Sequence, residues 1–145
     1  MNIIFHYNKG QPKKDYEVII SAFADAVAKV IELPEIVEVC LYPLANNVHG
    51  GIDRMRVNRI GINYHLLLED IPKILTHELI HVHQKHKGIL KIDSKNNCYW
   101  HGIFQTNKLP EQMTYEEYEN LPWEADVTNR LQEVFVEALR LTNNP

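Results

Sequence analysis

Residues 76–81, which read T-H-E-L-I-H, constrain this chain more than any other stretch. His77 and His81 are one helical turn apart, so on a helix they lie on the same face and are able to bind one metal ion together. Glu78 lies about 100° further round the helix. That position is too far round for a natural third ligand, but it suits a base that accepts a proton from a water molecule on the metal. The motif is therefore typical of zinc hydrolases, with two histidine ligands and a glutamate general base.

The sequence around the motif predicts one amphipathic helix. Asp70 is a favourable N-cap, Pro72 falls in the first turn, and Gly88 follows the last turn as a stop signal. A wide apolar arc predicts the buried face of this helix, and the motif lies at the edge of the arc. The arc comprises Ile71, Ile74, Leu75, Leu79 and Val82, and the polar residues predicted opposite are Lys73, Thr76, His83 and Lys87. The alternative interpretation is a pair of core histidines that make ordinary hydrogen bonds.

Composition predicts a single globular domain over residues 1–145, because 45% of the residues are hydrophobic and 23% are charged. The net charge of -4 and the lack of a basic block argue against a nucleic-acid partner. No apolar run is long enough for a membrane span, and the first residues do not resemble a signal peptide. Cys40 and Cys98 form no disulfide framework, so we expect a soluble cytoplasmic protein with reduced thiols.

Hydrophobic periodicity predicts an α+β fold with a short, mixed N-terminal sheet. The predicted strands are 2–7, 36–41 and 55–64, with a loop at 46–51, and the predicted helices are 15–31 and the motif helix that follows. A hairpin is expected from the β-prone runs 89–92 and 98–104, which a turn at 93–97 separates. A capping box at 114–117 opens a short helix, and Pro122 begins a last helix that runs to about residue 141.

The last helix offers a third metal ligand. Glu124 falls in the middle of its apolar stripe, whereas Asp126 falls on the opposite face. A carboxylate that points into a core is costly unless it is paired or bound to metal, and a dication held by two histidines is a suitable partner. The alternative is that Glu124, in the first turn, only complements the helix dipole. The stripe comprises Val127, Leu131, Val134, Phe135, Ala138 and Leu139.

His101 competes with Glu124 for the third position, because imidazole is as good a zinc ligand as carboxylate. It lies in the short predicted hairpin, so it is also a candidate donor to a substrate oxyanion, or a surface histidine. Tyr99 and Tyr118 are further candidate donors, although tyrosine is more often structural.

The motif and the later sequence P-W-E-A-D at 122–126 resemble the gluzincin clan of zinc metallopeptidases. The resemblance is greatest to the one-domain minigluzincins and to small peptidase-like proteins of tailed bacteriophages. It implies a zincin-like fold, with Zn²⁺ held by His77, His81 and Glu124, and with Glu78 as general base. It also implies that the strand at about 57–64 binds an extended peptide along its edge. Thr128, not an acidic residue, stands one turn after Glu124, so no partner that orients the ligands is apparent.

The expected function is hydrolysis of a peptide or protein substrate by a zinc metallopeptidase. His101-Gly102 is also similar to the SprT-like proteases, in which a third histidine completes the site. A second hypothesis is a non-catalytic binding or assembly module that zinc stabilises, and four protein ligands including both His101 and Glu124 would favour it. A third hypothesis is hydrolysis of a non-peptide amide.

Overall fold

Two sheets and four α-helices are formed by the residues that the computed structural model describes, which are 1–7, 10–43, 50–52 and 56–143. The strands are β1 (Asn2–Tyr7), β2 (Ile36–Tyr42), β3 (Gly50–Ile52), β4 (Arg59–Asn63), β5 (Leu90–Ile92), β6 (Cys98–Trp100) and β7 (Ile103–Thr106). The helices are α1 (Lys14–Ala28), α2 (Ile71–His86), α3 (Tyr115–Glu119) and α4 (Pro122–Asn143). Single 3-10 turns at Leu68–Asp70 and Pro110–Gln112 precede α2 and α3. The predicted α+β class is confirmed.

The larger sheet is mixed, as predicted, and has the strand order β1-β2-β4-β3. Strands β1, β2 and β4 are parallel, and β3 pairs with β4 in the antiparallel sense. The alternation in β2 sets its buried face, because Val37, Val39 and Leu41 are fully buried while the residues between them are partly exposed.

The prediction that the strand at 57–64 lies at an edge of the sheet is wrong. Strand β4 lies between β2 and β3, and β3 pairs with its residues 60–62, so this part of its outer edge is already occupied. Among the described strands it is β3 that lies beyond it. Gly50 and Gly51 belong to β3, so the predicted loop at 46–51 is wrong at its end, and 46–49 lie outside the described residues. Glycines suggest a loop by composition, but here the backbone pairs with β4.

Helices α1, α2 and α4 pack against one another, and α2 also packs against β3 and β4. The predicted arc of α2 is confirmed at Ile71, Leu75, Leu79 and Val82, which are fully buried. Thr76 was predicted on the polar face, but it is buried too, because its hydroxyl donates to the Pro72 carbonyl at 2.7 Å and needs no water.

Asp70 occupies the predicted N-cap position of α2 without the predicted capping bond. Its backbone is already helical, at φ -87° and ψ -17°, because a 3-10 turn runs directly into the helix. The Asp70 carboxylate therefore makes no bond to the first backbone N–H groups. Pro72 lies in the first turn, as expected. Within the described residues, no helix is both long and apolar enough to cross a membrane.

The second sheet is antiparallel, with the order β5-β6-β7, and it contains the predicted hairpin. The run predicted at 98–104 is in fact two strands, because His101 and Gly102 turn the chain with φ of 51° and 80°. Leu90 and Cys98 of this sheet form a small buried cluster with Trp123. The cluster packs the first turn of α4, which carries Glu124, against the second sheet.

Candidate metal centre

Three of the predicted site residues meet between α2 and the first turn of α4. The His81 Nε2 atom lies 3.1 Å from Oε2 of Glu124, and the His77 Nε2 atom lies 3.7 Å from Oε1 of the same carboxylate. One potential ligand atom from each residue lies within 4.8 Å of those of the other two. Glu124 is buried, which confirms that it faces inward, and its carboxylate contacts both imidazoles instead of only capping a helix end.

The spacing of these atoms suits a small dication. Zinc bonds of about 2.0–2.2 Å in tetrahedral geometry separate neighbouring ligand atoms by about 3.3–3.5 Å. The observed separations, 3.1 Å from His81 to Oε2 of Glu124 and 3.7 Å from His77 to Oε1, are close to that value. Two imidazole nitrogens and one carboxylate oxygen are also a ligand set that zinc prefers. The residues present therefore fit a zinc ion.

A residue that the sequence did not single out orients one of the imidazoles. Gln84 is fully buried, and its Oε1 lies 2.9 Å from Nδ1 of His81. Its amide nitrogen donates to the Trp123 carbonyl at 3.0 Å and to Oδ2 of Asp126 at 2.9 Å. Arg130 donates to the same Asp126 oxygen at 2.8 Å. The chain of contacts thus ties His81 of α2 to the start of α4.

This network fixes the tautomer of His81. Because both amide hydrogens of Gln84 are used by acceptors, its oxygen must face His81, and Nδ1 of His81 carries the proton. The lone pair of Nε2 then points at the Glu124 carboxylate. Two buried acceptors that face each other at 3.1 Å need a proton or a cation between them. Metal-binding histidines are oriented in this way through their second nitrogen.

In the metal-free site, Glu124 favours the protonated form of His81. Burial lowers the pKa of His81, but the hydrogen bond and negative charge of Glu124 outweigh burial, so the net direction is upward. Burial lowers the pKa of His77, and the charge of His81 lowers it further, while Glu124 opposes the change. A proton on Nε2 of His81 and a metal ion would therefore compete for the same place beside Glu124.

Glu78 lies beside the cluster without joining it. Its carboxylate is 4.0 Å from Nε2 of His77, and only 6% of the residue is exposed. Burial raises the pKa of Glu78 to about 7, His81 lowers it and the charge of Glu124 raises it. A carboxyl group with a pKa near neutrality is suited both to accept and to release a proton.

The raised pKa predicts how the metal-free protein responds to pH. The folded value of about 7 lies above the ordinary 4.5, so Glu78 stabilises the fold fully below about pH 4.5 and loses that contribution as the pH rises through 7. Relative to Glu78→Gln, the parent should lose about 2–3 kcal/mol of unfolding free energy between pH 5 and pH 8. Denaturant unfolding in chelator measures this, with Glu116→Gln as the control. A difference between the two proteins that does not change with pH would contradict it.

His101 lies apart from the cluster. It is exposed in the turn between β6 and β7, where its backbone N–H donates to Ile89 and its ring contacts Trp100. Of the two tyrosines proposed as oxyanion donors, Tyr118 lines a cleft together with His77, whereas Tyr99 lines a different cavity. Among the described residues, the third position of the cluster therefore belongs to Glu124.

Comparisons with protein family models, with curated proteins and with solved structures found no match to this chain. The resemblance to gluzincins therefore rests on the motif and on residues 122–126 alone. The geometry of these residues has to support the functional hypothesis by itself.

Proposed function

We propose that this protein is a zinc metallopeptidase of gluzincin type with a zincin-like fold. In this proposal His77, His81 and Glu124 bind the metal, and Glu78 is the general base. One observation carries the proposal: Nε2 of His81 and Nε2 of His77 converge on one buried carboxylate, that of Glu124, at 3.1 and 3.7 Å, and Gln84 holds the other nitrogen of His81. Two imidazoles and a carboxylate that converge in this way, with one ring oriented through its second nitrogen, are a ligand set typical of zinc sites.

When bound, zinc would lower the pKa of a water molecule and polarise the scissile carbonyl. Glu78 accepts a proton as the water oxygen forms its bond to the carbonyl carbon. The same carboxyl group then gives the proton to the amide nitrogen as the carbon–nitrogen bond breaks. Burial, which raises the pKa of Glu78 to about 7 in the metal-free protein, opposes the tendency of a carboxyl group to stay charged and so favours the step in which Glu78 holds the proton.

Access to the cluster favours catalysis over a purely structural metal. The His77 side chain is 36% exposed, whereas the His81 side chain is only 3% exposed. A cleft of about 400 Å³ reaches both His77 and Glu124 from one side. Structural zinc sites are usually closed by four protein ligands, and catalytic sites keep one position open. His101, the fourth ligand that a binding module would need, lies outside the cluster.

Metal analysis and peptide digestion test the proposal together. We expect about one zinc per chain, and cleavage of a mixed peptide library that 1,10-phenanthroline stops and added zinc restores. Mass spectrometry of the digest identifies the bonds that are cut. Bound zinc with no cleavage of any peptide would instead support the zinc-stabilised binding module, and absence of zinc would remove both hypotheses. Cleavage of only non-peptide amides would replace the peptidase with an amidase that acts on another class of substrate.

A further inference from the structure

A cleft next to the proposed metal centre has a chemical character of its own. It has a volume of about 400 Å³, within the range of ordinary ligand pockets, and lies between α3 and the first turns of α4. His77 and Glu124 form the end that meets the metal centre. Tyr115 and Tyr118 supply aromatic walls, and Glu119 supplies a carboxylate. A substrate that reaches the metal centre from this side has to place a side chain among these groups.

Glu119 gives this cleft a negative charge outside the proposed metal site. It is the one carboxylate of the lining besides the proposed ligand Glu124, and the described lining contains no lysine or arginine. Tyr115 hydrogen-bonds to Glu119, which holds the carboxylate beside the aromatic ring. Glu119 has no ion pair among those found in the described residues, whereas Lys108 and Arg130 are paired with Glu117 and Asp126. Its carboxylate is therefore able to attract a cation from outside the protein.

We propose that this cleft selects a substrate with a basic side chain next to the scissile bond, and arginine more than lysine. The inference rests on the proposed peptidase function. A guanidinium group stacks on tyrosine rings and forms a paired hydrogen bond with a carboxylate, whereas an ammonium group does the second less well. An acidic side chain in the same place would be repelled by Glu119 and would find no lysine or arginine in the described lining.

The test compares matched peptides that differ only in one residue beside the cleaved bond: arginine, lysine, glutamine or glutamate. For the zinc-loaded parent we expect kcat/KM in the order arginine, lysine, glutamine, glutamate, with arginine roughly fivefold to tenfold above glutamine. Glu119→Gln should remove most of that ratio, and Glu119→Arg should reverse it in favour of glutamate. Glu116→Gln is the control, because Glu116 is an exposed residue of α3 outside the lining, and it should keep the parent's ratio.

A binding measurement keeps the inference separate from the peptidase proposal. The Glu78→Gln protein is titrated with fluorescent arginine and glutamine peptides, and affinity is read from anisotropy. Tighter binding of the arginine peptide that depends on Glu119 supports the proposed preference of the cleft for a basic side chain, even if no cleavage is ever seen. Cleavage without any preference for arginine overturns the proposed specificity of the cleft and leaves the peptidase proposal intact. Equal binding of both peptides, or the same loss in Glu116→Gln and Glu119→Gln, overturns it as well.

Discussion

Replacement of Glu78 by glutamine is expected to remove peptide hydrolysis while the fold and the zinc remain. Glutamine has nearly the same size as glutamate, so the buried position stays filled, but its amide cannot accept the proton of the attacking water. The loss of a general base typically lowers the rate by about 10²–10⁴-fold. Glu78 is 4.0 Å from His77 and does not belong to the cluster of His77, His81 and Glu124. The zinc content of Glu78→Gln should therefore equal that of the parent. Mass spectrometry of digests by both proteins provides the measurement.

Two controls make the result specific. Glu116→Gln removes an exposed carboxylate of α3 and should cleave like the parent. Zinc content and thermal unfolding of Glu78→Gln show whether the variant is folded and loaded. Equal cleavage by the parent and Glu78→Gln would mean that the activity belongs to a contaminant or to another base. A variant that loses zinc along with activity would place Glu78 among the ligands, against the geometry of the cluster.

The positions of His77, His81 and Glu124 were predictable because each depends on local periodicity. A spacing of four residues places the two histidines on one helical face wherever that helix goes. Glu124 follows from the same argument, since only a partner of opposite charge makes a carboxylate tolerable in an apolar stripe. The sequence does not show that the two helices face each other at this point. The structure does, because Glu124 of α4 is buried and contacts His81 of α2.

Gln84 was not predictable, because its role depends on groups that only the fold brings to it. In the sequence it is one polar residue near the end of a helix. In the structure it links His81 to the Trp123 carbonyl and to Asp126, which come from a helix that begins about forty residues later. The available signal was a glutamine three residues after His81, on the same side of the predicted helix. The sequence has Thr128, not an acidic residue, one turn after Glu124, and in the structure it is Gln84 that orients a histidine of the cluster.

Strand pairing was likewise predictable only where it depends on residues close together in the sequence. The alternation of Val37, Val39 and Leu41 predicted the buried face of β2. The place of β4 inside the sheet depends on pairing with Gly50–Ile52, and glycine carries no hydrophobic pattern that could have indicated a strand. Residues 98–104 looked continuous, because nothing in their apolar pattern marks the positive φ of His101.

Removal of the Glu124 carboxylate is expected to cost far more zinc affinity than removal of Asp126 or His101. Glu124 contacts both histidines, so Glu124→Ala deletes one of three ligands and should weaken zinc binding by more than about 100-fold. Asp126 acts through Gln84 on the orientation of His81, and Asp126→Ala should cost about 10-fold. His101→Ala should change little, because His101 is exposed and outside the cluster.

Competition with a chromogenic chelator measures all three affinities on the same scale, and thermal unfolding checks that each variant is folded. His77→Ala and His81→Ala should lose zinc as Glu124→Ala does. If His101→Ala empties the site and Glu124→Ala does not, the three-histidine arrangement of the SprT-like proteases replaces the gluzincin one. If Asp126→Ala costs as much as Glu124→Ala, the orientation of His81 by Gln84 matters as much as the carboxylate ligand itself. Full zinc occupancy in the double variant that lacks both His77 and His81 would remove the metal centre from α2 altogether.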